Sequence, residues 1–202
     1  MTVAQLLHRG IDDARVLQAM RAVPRHRFVP KELQAEAYED MPLPISEGQT
    51  ISQPYIVARM TSLLQLTPTD SVLEVGTGSG YQAAVLAHLA QRVFTVECIP
   101  GLAQAAADRL RALGMENVEV LPGDGGAGLV QHAPFAAIMV SAAAPRVPQP
   151  LLDQLADGGR LVAPVGPRHH QRLQLWVKKG HRCMYEKFAP VRFVPLTGKW
   201  GV

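Results

Sequence analysis

Three carboxylates, one serine and a run of spaced glycines carry most of the chemistry open to this chain. Glu74, Gly76, Gly78 and Gly80 alternate within Val72-Leu73-Glu74-Val75-Gly76-Thr77-Gly78-Ser79-Gly80-Tyr81. Val72, Leu73 and Val75 form an apolar run that reads as a buried parallel strand, and Tyr81 to Leu89 reads as a helix. Strand, glycine turn and helix together bring a nucleotide close to bare backbone, and unpaired N–H groups stand at the helix start. Glycine suits such a turn because a Cβ would block the approach and because positive φ is often required there. A second strand, Val93 to Val96, ends in Glu97, a carboxylate able to accept hydrogen bonds from both hydroxyls of a ribose. A third, Val118 to Leu121, leads into Gly123-Asp124-Gly125. An aspartate at a strand's carboxyl end can reach a ligand in the crevice, although Asp-Gly is also ordinary turn chemistry. The serine, Ser52, lies in a polar stretch ahead of all this, where it also reads as a helix cap.

The glycines alone do not choose the cofactor. Gly78-Ser79-Gly80-Tyr81-Gln82-Ala83 satisfies the dinucleotide pattern G-x-G-x-x-A, and NAD-binding domains use a carboxylate such as Glu97 in the same way. Glu74 does discriminate, because a carboxylate two residues before Gly76 can meet a cationic amino-acid portion that a pyrophosphate lacks. Glu-x-Gly-x-Gly-x-Gly resembles motif I of the S-adenosylmethionine-dependent methyltransferases. In enzymes of that kind the position of Asp124 lies beside adenine, whose exocyclic amine a carboxylate can receive. A dinucleotide enzyme and a purely structural glycine turn remain the alternatives at this point.

The elements that must position these residues follow from periodicity and punctuation. Residues 2 to 22 read as two helical pieces, the first ended by Gly10 and the second capped by Asp12. Val23 to Pro30 is a basic segment between two prolines, expected as a solvated connector that anchors Phe28 in the core, with a short helical turn at 32 to 38. Met41 to Pro54 holds Pro42, Pro44, Gly48 and Pro54 and reads as a long loop, followed by a helix from Pro54 to Leu66. Further helices are expected at 101–113, ended by Gly114, and at 148–155. Further strands are expected at 136–140 and at 160–165 after a Gly158-Gly159 turn. A late hairpin over 173–177 and 183–188 turns at Lys179-Gly180. Small residues from Ser141 to Pro145 leave room for a reacting group. His169 and His170 read as a solvated turn, since neither a carboxylate nor a nucleophile stands near them.

Composition bounds the rest. A chain of 202 residues, 48% hydrophobic, suits one α/β domain with a sizeable core. A net charge of +3 without a lysine- or arginine-rich block gives no argument for nucleic acid. Two cysteines, Cys98 and Cys183, read as free thiols in a reducing compartment, with no metal cluster. No stretch approaches membrane-span length and the N-terminus has no apolar leader, so the expectation is a cytoplasmic protein with no membrane partner.

A specific resemblance comes from Gly48-Gln49-Thr50-Ile51-Ser52-Gln53-Pro54, which is similar to the signature of the protein-L-isoaspartate O-methyltransferases. Ala22-Val23-Pro24-Arg25 with Phe28-Val29, Ala37-Tyr38-Glu39-Asp40, Leu43-Pro44-Ile45, the glycine turn, Gly123-Asp124-Gly125, Ala142-Ala143 and Val191-Arg192-Phe193-Val194-Pro195-Leu196 resemble the same family, so the likeness spans nearly the whole chain. It implies a Rossmann-like α/β methyltransferase fold, a mostly parallel sheet with helices on both faces. It also implies a single domain in which residues 1–54 form a helical and loop cover and 55–202 the core with C-terminal strands. The implied cofactor is S-adenosyl-L-methionine, released as S-adenosyl-L-homocysteine. Glu74, Gly76, Gly78, Gly80, Glu97, Asp124 and Gly125 would hold it. Ser52 becomes the catalytic residue, with Thr50, Ile51 and Thr197 beside the substrate. The implied substrates are proteins and peptides damaged at L-isoaspartyl residues, methylated by a monomer as the first step of repair through a succinimide. A methyltransferase on another substrate, or an inactive S-adenosylmethionine-binding protein, are the alternatives. Two positions depart from the family's pattern. Ala136 follows Phe135 where an aspartate usually stands, and Gly126 follows the Gly-Asp-Gly turn where an aromatic residue is common.

Overall fold

A computed structural model describes residues 3 to 201. The chain opens with α1 (Val3–His8) and α2 (Ala14–Ala22), separated by Gly10 at φ 80°. The cap of α2 is Asp13, not Asp12: its carboxylate accepts from the N–H groups of Arg15 and Val16. Asp13 is the residue whose extended backbone aims its side chain at the first turn. Short 3-10 turns follow at Arg25–Phe28 and Lys31–Glu36. The stretch expected as a loop holds a small antiparallel hairpin, β1 (Leu43–Pro44) against β2 (Thr50–Ile51), turned by Glu47 and Gly48 at positive φ. α3 (Pro54–Leu64) starts on a proline and ends at Gln65 in the left-handed region.

The core then alternates: β3 (Ser71–Val75), α4 (Tyr81–Ala87), β4 (Arg92–Glu97), α5 (Pro100–Ala112), β5 (Val118–Pro122), β6 (Phe135–Val140), α6 (Gln149–Asp153) and β7 (Leu155–Val165). A hairpin of β8 (Gln171–Lys179) and β9 (Arg182–Val191), turned by Gly180, completes it. The large sheet runs β5-β4-β3-β6-β7-β8-β9, parallel from β5 through β7 and antiparallel beyond. The chain leaves β3 toward β4 and β5, then returns to place β6 on the other flank of β3. That reversal opens a crevice at the carboxyl ends of β3 and β6, the topological switch point where ligands bind in doubly wound sheets.

Strand alternation sorts the apolar residues into two layers. Val72, Val93, Ala137, Met139 and Val162 pack toward α2, α3 and α4, while Leu73, Val75, Phe94, Ile138, Val140 and Leu161 face α6 and its neighbours. Two expectations need correction. Gly158 and Gly159 do not precede the fifth strand but lie inside it; β7 begins at Leu155, and its register on β6 jumps from Phe135–Leu155 to Ala137–Arg160. This bulge absorbs the extra residues beside Ala136, one of the two departures noted above. The helical part of the cover expected over residues 1–54 does not line the crevice either. α2 packs on α3 and α4 at one face of the sheet, and it is the β1–β2 segment that reaches the crevice. Among the described residues no helix is long and apolar enough to cross a membrane.

Candidate active site

The glycine turn forms the floor of the crevice. Gly76, Gly78 and Gly80 stand at φ 93°, 52° and 87°, a conformation that costs a side-chain-bearing residue roughly 1–2 kcal/mol. The turn is pinned at three points. Gly76 N–H donates to the Val96 carbonyl, Gly80 N–H to the Thr77 carbonyl, and Arg109 of α5 reaches the Ser79 carbonyl at 2.7 Å. Gly80 is also close-packed, since a Cβ there would lie 3.2 Å from Leu110 Cδ1. Arg109 carries no sequence signal, because its partner is thirty residues away.

Glu97 is buried at the end of β4 with its carboxylate against the turn. Oε2 accepts from Gly78 N–H at 2.8 Å and Oε1 from Ile99 N–H at 3.1 Å. These two bonds fix the side chain and leave acceptor capacity for hydroxyl groups. Glu74 lies deeper, with no surface of its own. Parallel pairing sets it opposite Thr95, whose hydroxyl donates to Oε2 at 2.6 Å, and Thr77 and Thr95 are hydrogen-bonded at 2.7 Å. Ser141 donates to Oε1 at 3.4 Å. Burial is the main cause that pushes the Glu74 carboxyl up to about 8; the Thr95 and Ser141 hydroxyls pull it down and the neighbouring Glu97 pushes it up.

The turn after β5 closes one end of the crevice. Gly125 lies so near β3 that a Cβ would sit 2.7 Å from Val75 Cγ1, so glycine is required there by close approach. Asp124 Oδ1 accepts from Gly126 N–H, and Oδ2 accepts from Lys199 N–H of the C-terminal segment. Opposite, Thr50, Ile51 and Ser52 come from β2 and the residue after it. Ser52 is not the cap of α3. Gln53 holds that position without a side-chain bond, and the Asp40 carboxylate, from far upstream, receives the Tyr55 N–H. Within the described residues the Ser52 hydroxyl makes no hydrogen bond and lines the crevice.

What holds Ser52 in place is Arg25, and the expectation of a solvated segment at 23–30 fails there. Phe28 is buried as expected, edge-on to Tyr81, but Arg25 is buried as well. Its Nε donates to the Ala37 carbonyl and its Nη2 to the Ser52 carbonyl, both at 2.8 Å, and its guanidinium carbon lies 4.8 Å from the Tyr81 ring centroid. Burial lowers the Arg25 pKa and pushes the Tyr81 hydroxyl up to about 12. One buried cation therefore ties the Ser52 backbone to the residue that follows the glycine turn.

Glu74, Gly76, Gly78, Glu97, Gly125, Thr50, Ile51, Ser52 and Thr197 all line one crevice; Gly80, packed on Leu110, and Asp124, covered by the C-terminal segment, are not on its lining. Thr197 Oγ1 meets Cys98 Sγ at 3.0 Å. His169 and His170 are exposed and lie outside the crevice, and among the described residues no His, Cys, Asp and Glu cluster could hold a metal ion.

A Rossmann-like sheet with a glycine turn, a buried acidic residue before it and a carboxylate ending the next strand defines the class of S-adenosylmethionine-dependent methyltransferases. Comparison with known proteins narrows the class. The sequence profile of the protein-L-isoaspartate(D-aspartate) O-methyltransferases matches residues 2–201. Relatives named protein-L-isoaspartate O-methyltransferase are 56% identical in Methanoculleus marisnigri, over 100% of this chain and 91% of that one, and in Syntrophobacter fumaroxidans, over 100% and 94%. A solved protein-L-isoaspartate O-methyltransferase superimposes with a TM-score of 0.89 at 29% identity, covering 98% of this chain and 66% of that one. A Plasmodium falciparum structure, described as a putative member in complex with S-adenosyl-L-homocysteine, superimposes at 0.82 with 26% identity over 96% of both chains. The chain belongs to the protein-L-isoaspartate(D-aspartate) O-methyltransferase family.

Proposed function

We propose that this chain transfers a methyl group from S-adenosylmethionine to the carboxylate of L-isoaspartyl residues in damaged proteins and peptides. The observation that carries the reading is the meeting of two independent features in one crevice. A glycine turn with Glu97 lies on one side, and on the other lies Ser52, its hydroxyl unbonded and its backbone carbonyl held by Arg25. The cradle fits the cofactor: Gly76 and Gly78, both at positive φ, line the crevice with bare backbone, and Gly125 lines it close against β3. Gly76, Gly78 and Gly80 would receive the amino-acid portion beside Glu74, Glu97 the ribose hydroxyls, and Asp124 with Gly125 the adenine.

When bound, S-adenosylmethionine supplies an electrophilic methyl on a sulfonium. The accepting carboxylate, with an ordinary pKa near ~4, is already ionised at neutral pH, so no strong base is asked of the protein. Its residues orient and exclude water instead, a contribution that reaches roughly 7–11 kcal/mol where two reactants are well aligned. Ser52 Oγ–H donates to the isoaspartyl carboxylate and fixes which oxygen faces the methyl. Thr50, Ile51 and Thr197 wall the substrate. The resulting ester is open to attack by the adjacent backbone nitrogen. Ring closure releases methanol and leaves a succinimide, whose hydrolysis returns part of the chain to normal aspartate.

We take the working unit to be one domain, residues 1–54 covering a core of 55–202, acting as a cytoplasmic monomer without a nucleic-acid partner. Light scattering at working concentration tests the stoichiometry. The function itself is tested with a peptide carrying L-isoaspartate beside its normal aspartyl counterpart. Base-labile methyl ester on the first alone supports the reading. Equal labelling of both points to another substrate on the same fold, and cofactor binding without transfer points to an inactive binding protein.

A further inference from the structure

Gly126, after the Gly-Asp-Gly turn, carries no side chain, and the C-terminal segment occupies the space beside it. Parallel bridging of Ala143 with Pro195 anchors that segment beside the end of β6, with Ala143 N–H on the Val194 carbonyl and Leu196 N–H on the Ala143 carbonyl. The chain then crosses to Asp124. Gly198, at φ 95°, lies so close that a Cβ would stand 2.5 Å from Asp124 Oδ2, and Lys199 N–H donates to that oxygen at 2.9 Å. Trp200 comes next and lies on Gly126, where a Cβ would stand 2.8 Å from Trp200 Cβ and 3.0 Å from its Cδ1. A side chain at 126 and an indole at 200 therefore exclude each other. This chain keeps the indole.

We propose that Trp200 is a positioning residue for the adenine end of the cofactor, acting through Asp124. The proposal rests on the reading of Asp124 as the acceptor of the adenine amine. A carboxylate has about four acceptor sites, and Asp124 has a backbone N–H on each oxygen. One of those donors, Gly126, belongs to the turn itself. The other, Lys199, lies beyond the Ala143–Pro195 anchor, where the half-buried indole packed on Gly126 holds the end of the C-terminal segment against the turn. Without the indole Asp124 keeps one donor, its carboxylate is free to rotate, and the aim of its remaining acceptor sites is lost.

The test separates positioning from simple support. Calorimetry compares S-adenosylhomocysteine with S-inosylhomocysteine, in which a carbonyl oxygen replaces the exocyclic amine, on the wild-type protein, W200A and D124N. The wild type should prefer the adenosyl ligand about ten- to hundredfold, the scale of one hydrogen bond to a charged group. W200A should lose most of that preference by weakening the adenosyl ligand about tenfold while the inosyl ligand binds as before. D124N should lose it too. If D124N abolishes the preference and W200A keeps it, or weakens both ligands equally, Trp200 is not a positioning residue. If D124N keeps the preference, the adenine reading of Asp124 fails and the proposal falls with it.

Discussion

At the scale of single residues, Glu74 offers the clearest dependence on pH. Its carboxyl is fully buried, and the only donors it meets among the described residues are two hydroxyls. Its ordinary pKa is 4.5 and its folded value about 8. Between those values the folded form holds one proton more than the unfolded form. Stability from this group is therefore complete below the unfolded pKa and falls as pH rises toward the folded one, by up to about 1.4 kcal/mol per pH unit. E74Q lacks the linkage, so its stability relative to wild type should climb from pH 5 to pH 8 in urea titrations. Parallel pH profiles would show that Glu74 is not held neutral. Arg25 makes a different kind of statement, because two backbone carbonyls depend on one rigid fork. R25K keeps the charge but cannot span both. It should lose about 1–3 kcal/mol of stability and lower methyl transfer while cofactor affinity moves only a few-fold. An unchanged kcat in R25K would confine Arg25 to a structural part. Neither role was legible in the sequence. Arg25 meets partners 12 and 27 residues away, and Glu74 meets Thr95 only through the pairing of β3 with β4.

At the scale of elements, legibility tracked the range of the forces that shape each piece. The glycine turn could be read because its spacing, its strand and its helix are contiguous. The β1–β2 hairpin could not, since two-residue strands carry no periodicity and the prolines around them signal only a loop. The cap of α3 was misread for a similar reason. Ser52 stands where a cap would be sought, yet Asp40 supplies the acceptor from fifteen residues before Tyr55. Gly125 shows a glycine whose need is packing and not dihedral freedom. G125A should force its methyl against Val75, costing about 1–3 kcal/mol and weakening cofactor binding, with thermal melting and calorimetry as the two readouts. A variant as stable as wild type would mean that β3 and the turn are less tightly joined than the 2.7 Å approach requires.

At the scale of the whole molecule, the parallel sheet was legible as alternating strand and helix signals, while the order of its strands was not. Only the reversal at β3 makes a crevice, and reversal is a property of the folded chain. That crevice ties cofactor to substrate. E97A removes charge-assisted acceptance from the ribose and should weaken S-adenosylmethionine about ten- to hundredfold in calorimetry; unchanged affinity would remove Glu97 from the ribose site. The substrate side turns on Ser52. Its hydroxyl caps nothing, so S52A should change stability by no more than about 0.5 kcal/mol. The most direct measurement is methyl transfer to an L-isoaspartyl peptide by wild type and S52A at equal folded fraction and saturating cofactor. A fall of about ten- to a thousandfold, with cofactor affinity and melting nearly unchanged, is the predicted result. Transfer by S52A at the wild-type rate would contradict the account, because the crevice would then methylate without the hydroxyl assigned to orient its substrate.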